Sequence, residues 1–259
     1  MYFRILSLAI VTVALLGSSA SAQLTNYFED FEGLDRTDMD ALSNVGWLGA
    51  AAGVPNGGGF QFFAGFPAQN DINNPVNSVI SDVASGGAPP VGNQGLVVFT
   101  DFNSAIHFDQ PNSGFDDLII SIFQERAITA ADIGNTVEFS WIADGNAVPP
   151  SGDTLAEAFI LTLDPNNGFA ATNSLAFDTT ATADGALAAN SLTLDLTDPA
   201  LAGQIFQFGF RSTSSSGNGA AVDYDNVSLS VAPTVPEPGS LVALAFGSVV
   251  MISRRRRKS

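Results

Sequence analysis

From Gly95 to Val231 the chain alternates short apolar runs with turn-forming clusters, and several of the runs have a period of two. Ile205-Phe206-Gln207-Phe208-Gly209-Phe210 sets three phenylalanines on one side, and Leu192-Thr193-Leu194-Asp195-Leu196 does the same with three leucines. A period of two is the signature of a strand with one face on a core and the other toward water. The pattern predicts strands over Leu96–Asp101, Ile106–Phe108, Leu118–Gln124, Val137–Ala143, Ala158–Leu163, Ser174–Phe177, Ser191–Leu196, Ile205–Arg211 and Val222–Val231. Turns are expected at Asp144-Gly145-Asn146, at 164–168, at Asp184-Gly185, at Asp198-Pro199 and at 214–219, with a short helical turn over Thr129–Gly134. Upstream, Tyr27–Gly33 reads as a first strand ending in a turn, Asp35–Leu42 as a short helical turn, and Asn44–Leu48 as a second strand. Gly49–Gly59 is rich in Gly and Ala and punctuated by Pro55, Gln61–Pro67 carries three phenylalanines, and the polar, turn-rich stretch from there to Val91 reads as long loops around one or two short strands. Short strands at regular spacing predict an all-β fold, a two-sheet antiparallel β-sandwich of jelly-roll-like form. Burying a Phe or Leu is worth roughly 1.5–3 kcal/mol, so the phenylalanines are read first as core.

Both ends of the chain break this pattern. Arg4, the apolar run Ile5–Leu16 and the small residues Ala20-Ser21-Ala22 have the three-part form of a signal peptide, with cleavage by signal peptidase expected before Gln23. At the other end stand Pro236-Glu237-Pro238, an apolar run from Leu241 to Ile252, and the cluster Arg254-Arg255-Arg256-Arg257-Lys258. Twelve helical residues span roughly 18 Å, well short of a ~30 Å hydrocarbon core. The run is therefore a poor lasting anchor, yet it serves as a stop signal because the basic cluster resists translocation. The prolines keep the segment before it extended, which presents Glu237 to a protease at the membrane surface. Three domains result: a signal helix over 1–22, the β-sandwich over 23–232, and a sorting segment with a short hydrophobic helix over 233–259.

Charge sharpens the division. The whole chain carries −17, but between Gln23 and Val235 three arginines face twenty-five acidic residues, a net of −22. Such a surface repels nucleic acid and anionic lipid and attracts cations. The chain has no cysteine and one histidine, His107, and its sole lysine lies in the tail. Thiol chemistry, disulfides and Cys-based zinc sites are thereby excluded, and a His-based triad or metal site has too few members.

The tail resembles the PEP-CTERM sorting signal of Gram-negative and related bacteria in the order, spacing and position of its three parts. That resemblance implies recognition by an exosortase, a membrane cysteine protease-transpeptidase. It further implies cleavage near the tripeptide, a transient membrane stage, and release or transfer to the cell surface, often in company with exopolysaccharide.

Within the domain the most pointed acidic signal is Asp223-Tyr224-Asp225-Asn226-Val227. Strict period two sets Asp223 and Asp225 on the face of Val227, Leu229 and Val231, which is the inward one. A first strand beside the last would bring Glu29, Asp30 and Glu32 near them, an oxygen-only set suited to calcium, with Glu32 the leading member. Phe31-Glu32-Gly33 and Asp225-Asn226-Val227 resemble the two ends of carbohydrate-binding-module-like, galactose-binding-like jelly rolls, and that resemblance implies a structural calcium framed by them. For sugar stacking the candidates are Trp47, Trp141, Tyr27 and Tyr224; Trp141 is read as core or edge packing, and Trp47 with the loop residues Phe60, Phe62, Phe63 and Phe66 is the more open to a binding role. No nucleophile elbow, phosphate loop or His-Glu-x-x-His helix occurs, and no carboxylate pair stands out for glycoside hydrolysis. The sequence thus describes an exported, non-catalytic protein of the cell surface or extracellular matrix, structural or adhesive in role. The alternative is a glycan-binding module with structural calcium, and a second alternative is a surface hydrolase.

Overall fold

The computed structural model describes residues 23–55, 62–70, 78–85, 89–100, 115–148, 155–180, 189–215 and 220–233. The signal segment, the Ile106–Phe108 strand, the Asp184-Gly185 turn, the sorting motif Pro236-Glu237-Pro238 and the cluster Arg254–Lys258 lie outside the described residues. Twelve strands are described: β1 (Tyr27–Glu29), β2 (Leu48–Pro55), β3 (Phe62–Pro67), β4 (Ser78–Asp82), β5 (Gln94–Thr100), β6 (Phe115–Ala127), β7 (Asn135–Val148), β8 (Leu155–Asp164), β9 (Ala170–Asp178), β10 (Ala189–Asp195), β11 (Ile205–Ser215) and β12 (Ala220–Pro233). They form the expected antiparallel sandwich. One sheet has the order β10-β7-β12-β5-β4 with β1 beside β12, and the other has the order β3-β2-β6-β11-β8-β9. Among the described residues no helix is long and apolar enough to cross a membrane.

The core between the sheets is aromatic. Phe206, Phe208 and Phe210 of β11 point into it together, as their alternation requires, and meet Phe139 of β7 at ring distances of 5.3 Å for Phe208 and 5.6 Å for Phe210. Tyr224 of β12 stacks on Phe210 with centroids 3.7 Å apart, and its hydroxyl pairs with that of Thr179 at 2.8 Å. The buried phenol is thus given the polar partner that burial demands.

Three local readings change. The stretch 44–48 is not a strand: a four-residue helix, Ala41–Asn44, runs into a turn with Gly46 at φ 90, and β2 starts only at Leu48. The Ala- and Gly-rich β2 was hidden by its low β-propensity, yet it lies between β3 and β6 because small side chains let neighbours close in. Gly49 shows this directly, since a Cβ there would overlap the ring of Phe66. Finally, Asp144-Gly145-Asn146 is no turn. β7 continues through it to Val148, opposite β12.

A fourth change carries furthest. Between Asp225 and Ser228 the register of β12 against β7 slips by one residue, and Asn226 sits there at φ 48. One extra residue in one strand is a β-bulge, and it exchanges the two faces beyond it. Val222 and Tyr224 face the core before the bulge, and Val227 and Leu229 face it after. Asp223 and Asp225 therefore lie on the outer face of their sheet, and the strict period-two placement on the inward face is corrected.

Candidate functional site: buried carboxylates at the bulge of β12

The bulge leaves Asp223 and Asp225 on the outer face of the first sheet, beside Asp144 of β7. Asp223 stands opposite Asp144 of β7, and Asp225 opposite Ile142. All three acids are buried nevertheless. The segment Pro89–Asn93, leading into β5, is fastened to Asp225: Val91 donates its amide to Asp225 Oδ2 at 3.1 Å. Ser81 of β4 donates its hydroxyl to Asp223 Oδ1 at 2.8 Å. The amide of Asn226 donates to Asp225 Oδ1 at 2.6 Å, which ties the bulge to its own carboxylate.

Glu32 also secures this segment. Its carboxylate accepts the backbone amides of Asn93 and Gln94, the latter at 3.0 Å. Gly92 is required beside it on two counts, because its φ is 67 and a Cβ would overlap Glu32 Oε1. The expected neighbourhood of first and last strands is real: Tyr27, Phe28 and Glu29 pair with Leu229, Ser228 and Val227.

Electrostatics follow from burial. Burial pushes Asp223 up to about 7, with the charges of Asp144 and Asp225 adding to the rise against the lowering effect of Ser81. Burial likewise pushes Asp225 up to about 6, helped by Glu32 and Asp30 and opposed by the amides of Asn226 and Val91. Glu32 is held below the ordinary carboxylate range by the amides of Asn93 and Gln94. The arrangement can therefore hold protons near neutral pH.

For calcium the fit is poor. Glu32, Asp223 and Asp225 come into one neighbourhood, but their oxygens accept hydrogen bonds from Asn93, Gln94, Ser81, Val91 and Asn226. Among the described residues no three His, Asp or Glu side chains converge on a position that could hold a metal ion.

Trp47 is not a stacking platform. It is fully buried, near-parallel to Phe210 at 6.3 Å and packed against Phe31 at 6.1 Å, so no ring face is open to a sugar. A turn at Gly46 precedes it and the indole is buried, which the reading of 44–48 as a strand did not reveal. Trp141 is core, 4.8 Å from Phe139.

A second feature escaped the alternation argument. The outer face of the other sheet carries its own apolar layer of Ala50, Phe123, Phe159, Leu161 and Leu163. Polar pairs flank it: Arg211 binds Glu157 through bonds of 2.6 and 3.0 Å and lies over the Phe159 ring at 5.6 Å, and Gln207 donates to Glu125 at 2.8 Å. The signal was β8 itself, where Ala158–Leu163 is apolar at both parities apart from Thr162, the mark of a strand buried on two faces.

The chain is similar at low identity to several solved structures. One is a carbohydrate-binding module of the β-sandwich superfamily described for promiscuous specificity, 14% identical over 71% of this chain and 74% of that one, with a TM-score of 0.36. The tandem CBM22-1–CBM22-2 domain of Paenibacillus barcinonensis Xyn10C is 11% identical over 85% and 48% of the two chains, with a TM-score of 0.41. An apo cyclase from Fischerella sp. is 13% identical over 85% and 93%, with a TM-score of 0.42. No curated protein sequence matches the chain. Residues 234–258 match the PEP-CTERM protein-sorting motif, which marks an exported protein processed by an exosortase.

Proposed function

We propose that the mature domain is a non-catalytic structural or adhesive protein of the cell surface or extracellular matrix, delivered by its sorting motif. The observation that carries this reading is the use made of the buried and clamping acids. Glu32 holds the amides of Asn93 and Gln94, Asp225 holds Val91, and Asp132 holds Leu24 at 2.9 Å and Thr129 at 2.7 Å. Carboxylates fixed on backbone amides serve the scaffold, and a rigid, strongly acidic scaffold suits a hydrated matrix. The test is production of the full chain in a host with an exosortase, followed by fractionation and intact mass. The expected product lacks Arg254–Lys258 and sits in the surface or matrix fraction. Retention of the whole tail in the cytoplasmic membrane would overturn the reading.

A second reading is a glycan-binding module, favoured by the half-buried Arg211–Glu157 pair and Glu125 on the outer face of this sheet. Planar hydrogen-bonding side chains held in place on a sheet face are what sugar hydroxyls require; the Phe123 and Phe159 rings beneath are buried and serve as its floor. Retention on polysaccharide that Glu125→Gln abolishes, with the melting temperature unchanged because an acceptor for Gln207 remains, would favour this reading over the first. New reducing ends in the same assay would favour a surface hydrolase.

A further inference from the structure

Both ends of the described domain meet at one rim of the sandwich. Leu24 is buried and donates its amide to Asp132 Oδ1 at 2.9 Å. Asn26 Oδ1 accepts the amide of Val231 at 2.8 Å. β12 stays paired with β7 to its last residues, Ala232 opposite Thr136 and Pro233 opposite Asn135. The same rim is closed by Thr136 Oγ1 on Asp195 at 2.6 Å and by the backbone exchange of Gly134 and Asn135 with Leu196 at 2.8 Å.

β12 is an interior strand, with β7 on one side and β5 and β1 on the other. It cannot peel away without opening its sheet. Pro236 stands three residues beyond Pro233 in the sequence. Extended chain covers at most ~3.3–3.6 Å per residue, so three residues reach about 10 Å at most and eight reach about 30 Å. A protease acting at the bilayer surface must therefore work against the folded domain.

We infer that the rim formed by Leu24–Asn26, the 129–135 turn and the end of β12 is the face held against the membrane-embedded sorting protease, and that the short span after Pro233 limits the cutting rate. The inference rests on the sorting reading above. The reaction breaks one peptide bond: the acyl carbon passes to water or to an amine of a surface component, and the basic peptide leaves with a new amino terminus. Reaching that bond needs either clearance or fraying of the last pairs of β12. Ends fray at low free energy unless they are tied, and Asn26, which accepts the Val231 amide, is one tie beside the pairs with β7.

Conversion of full-length precursor to mature protein is followed by pulse-chase and intact mass in a host with an exosortase. Four chains are compared: the wild type, Glu237→Ala, Asn26→Ala, and one with six Gly/Ser residues, roughly 20 Å of extended chain, inserted between Pro233 and Thr234. The insertion is expected to speed conversion several-fold, and Asn26→Ala to speed it by a smaller factor. An insertion chain converted at the wild-type rate would overturn the inference. A wild type that is never cut, or a Glu237→Ala chain cut as fast as the wild type, would instead remove the sorting reading, and this inference with it.

Discussion

Ser81 on β4 donates its hydroxyl to Asp223 on β12 at 2.8 Å, across the strand β5 that separates them. Gly95 makes the reach possible. A Cβ there would stand 3.1 Å from Asp223 Oδ1, so the missing side chain is the space the two partners share. The bond satisfies one carboxylate oxygen, yet burial and the facing Asp144 still push Asp223 from 3.8 to about 7.

That shift has a sign. A carboxyl with a raised pKa holds its proton more tightly in the folded chain than in the unfolded one. Its contribution is therefore favourable at low pH and declines as pH rises from about 4 to about 7, with no further change above. Asp225, pushed to about 6, acts in the same direction over a narrower range. Glu32 and Asp35 are held low and act oppositely, in more acid solution. We expect the melting temperature to rise as pH is lowered from 8 to 5. Asp223→Asn keeps an acceptor for Ser81 and carries no charge. It should flatten most of the slope and stabilise the domain at pH 8 by as much as about 4 kcal/mol. Thermal melts of both proteins across that range are the measurement, and parallel slopes would refute the assignment.

The bulge gives a backbone prediction. Asn226 occupies the left-handed region at φ 48, which Asn and Gly tolerate and β-branched residues do not. Asn226→Gly should leave stability within about 1 kcal/mol, whereas Asn226→Val should cost about 2 kcal/mol. Urea unfolding separates the two. If Val is tolerated as well as Gly, the register slip between Asp225 and Ser228 is wrong.

This bulge also marks where the sequence stopped being legible. Alternation identified the core strands β11 and β12, because Phe206, Phe208 and Phe210 cannot be satisfied by any other arrangement. Parity then failed at Asn226, since one inserted residue exchanges faces and leaves hydrophobicity unchanged. The Asp-Asn pair inside an apolar strand was the available hint. β2 was missed because Ala and Gly read as loop until the ring of Phe66 is seen against Gly49. Trp47 was assigned by its surroundings in sequence, and its burial depends on a turn at Gly46 that composition does not show. Of the site, Glu32, Asp223 and Asp225 were legible as neighbours. Asp144 and Ser81 were not, because the first was read as part of a turn and the second has an unremarkable sequence context.

Calcium offers a clean measurement. A site filled at a hundredfold excess over its Kd adds about 2.7 kcal/mol, or roughly 5–10 °C for a domain of this size. The carboxylates at the bulge already accept hydrogen bonds from protein donors, so we expect millimolar calcium and a chelator to leave the melt unchanged at pH 7. A stabilising shift of that size, lost in Asp225→Asn, would mean that these oxygens leave their amide partners for a cation.

The last prediction concerns the sheet that carries the second apolar layer. Gly209 of β11 lies between Phe123 of β6 and Phe159 of β8. A Cβ there would overlap the carbonyl oxygen of Ile122 and stand 2.6 Å from the Cα of Phe123. Both obstacles are backbone of a paired strand, and neither can move without parting β6 from β11. At Gly49 the obstacle is instead the ring of Phe66, a side chain only partly buried and able to swing. Overpacking that forces backbone shifts costs more than overpacking a rotamer can relieve. Gly209→Ala should therefore cost about 3 kcal/mol, toward the upper end of such changes, and Gly49→Ala about 1 kcal/mol. Because Gly209 also sets the 6.5 Å spacing of the Phe123 and Phe159 rings, the first substitution should additionally perturb the near-ultraviolet aromatic signal of the folded protein. Equal costs for the two variants would mean that β6 and β11 are less closely apposed at Gly209 than described.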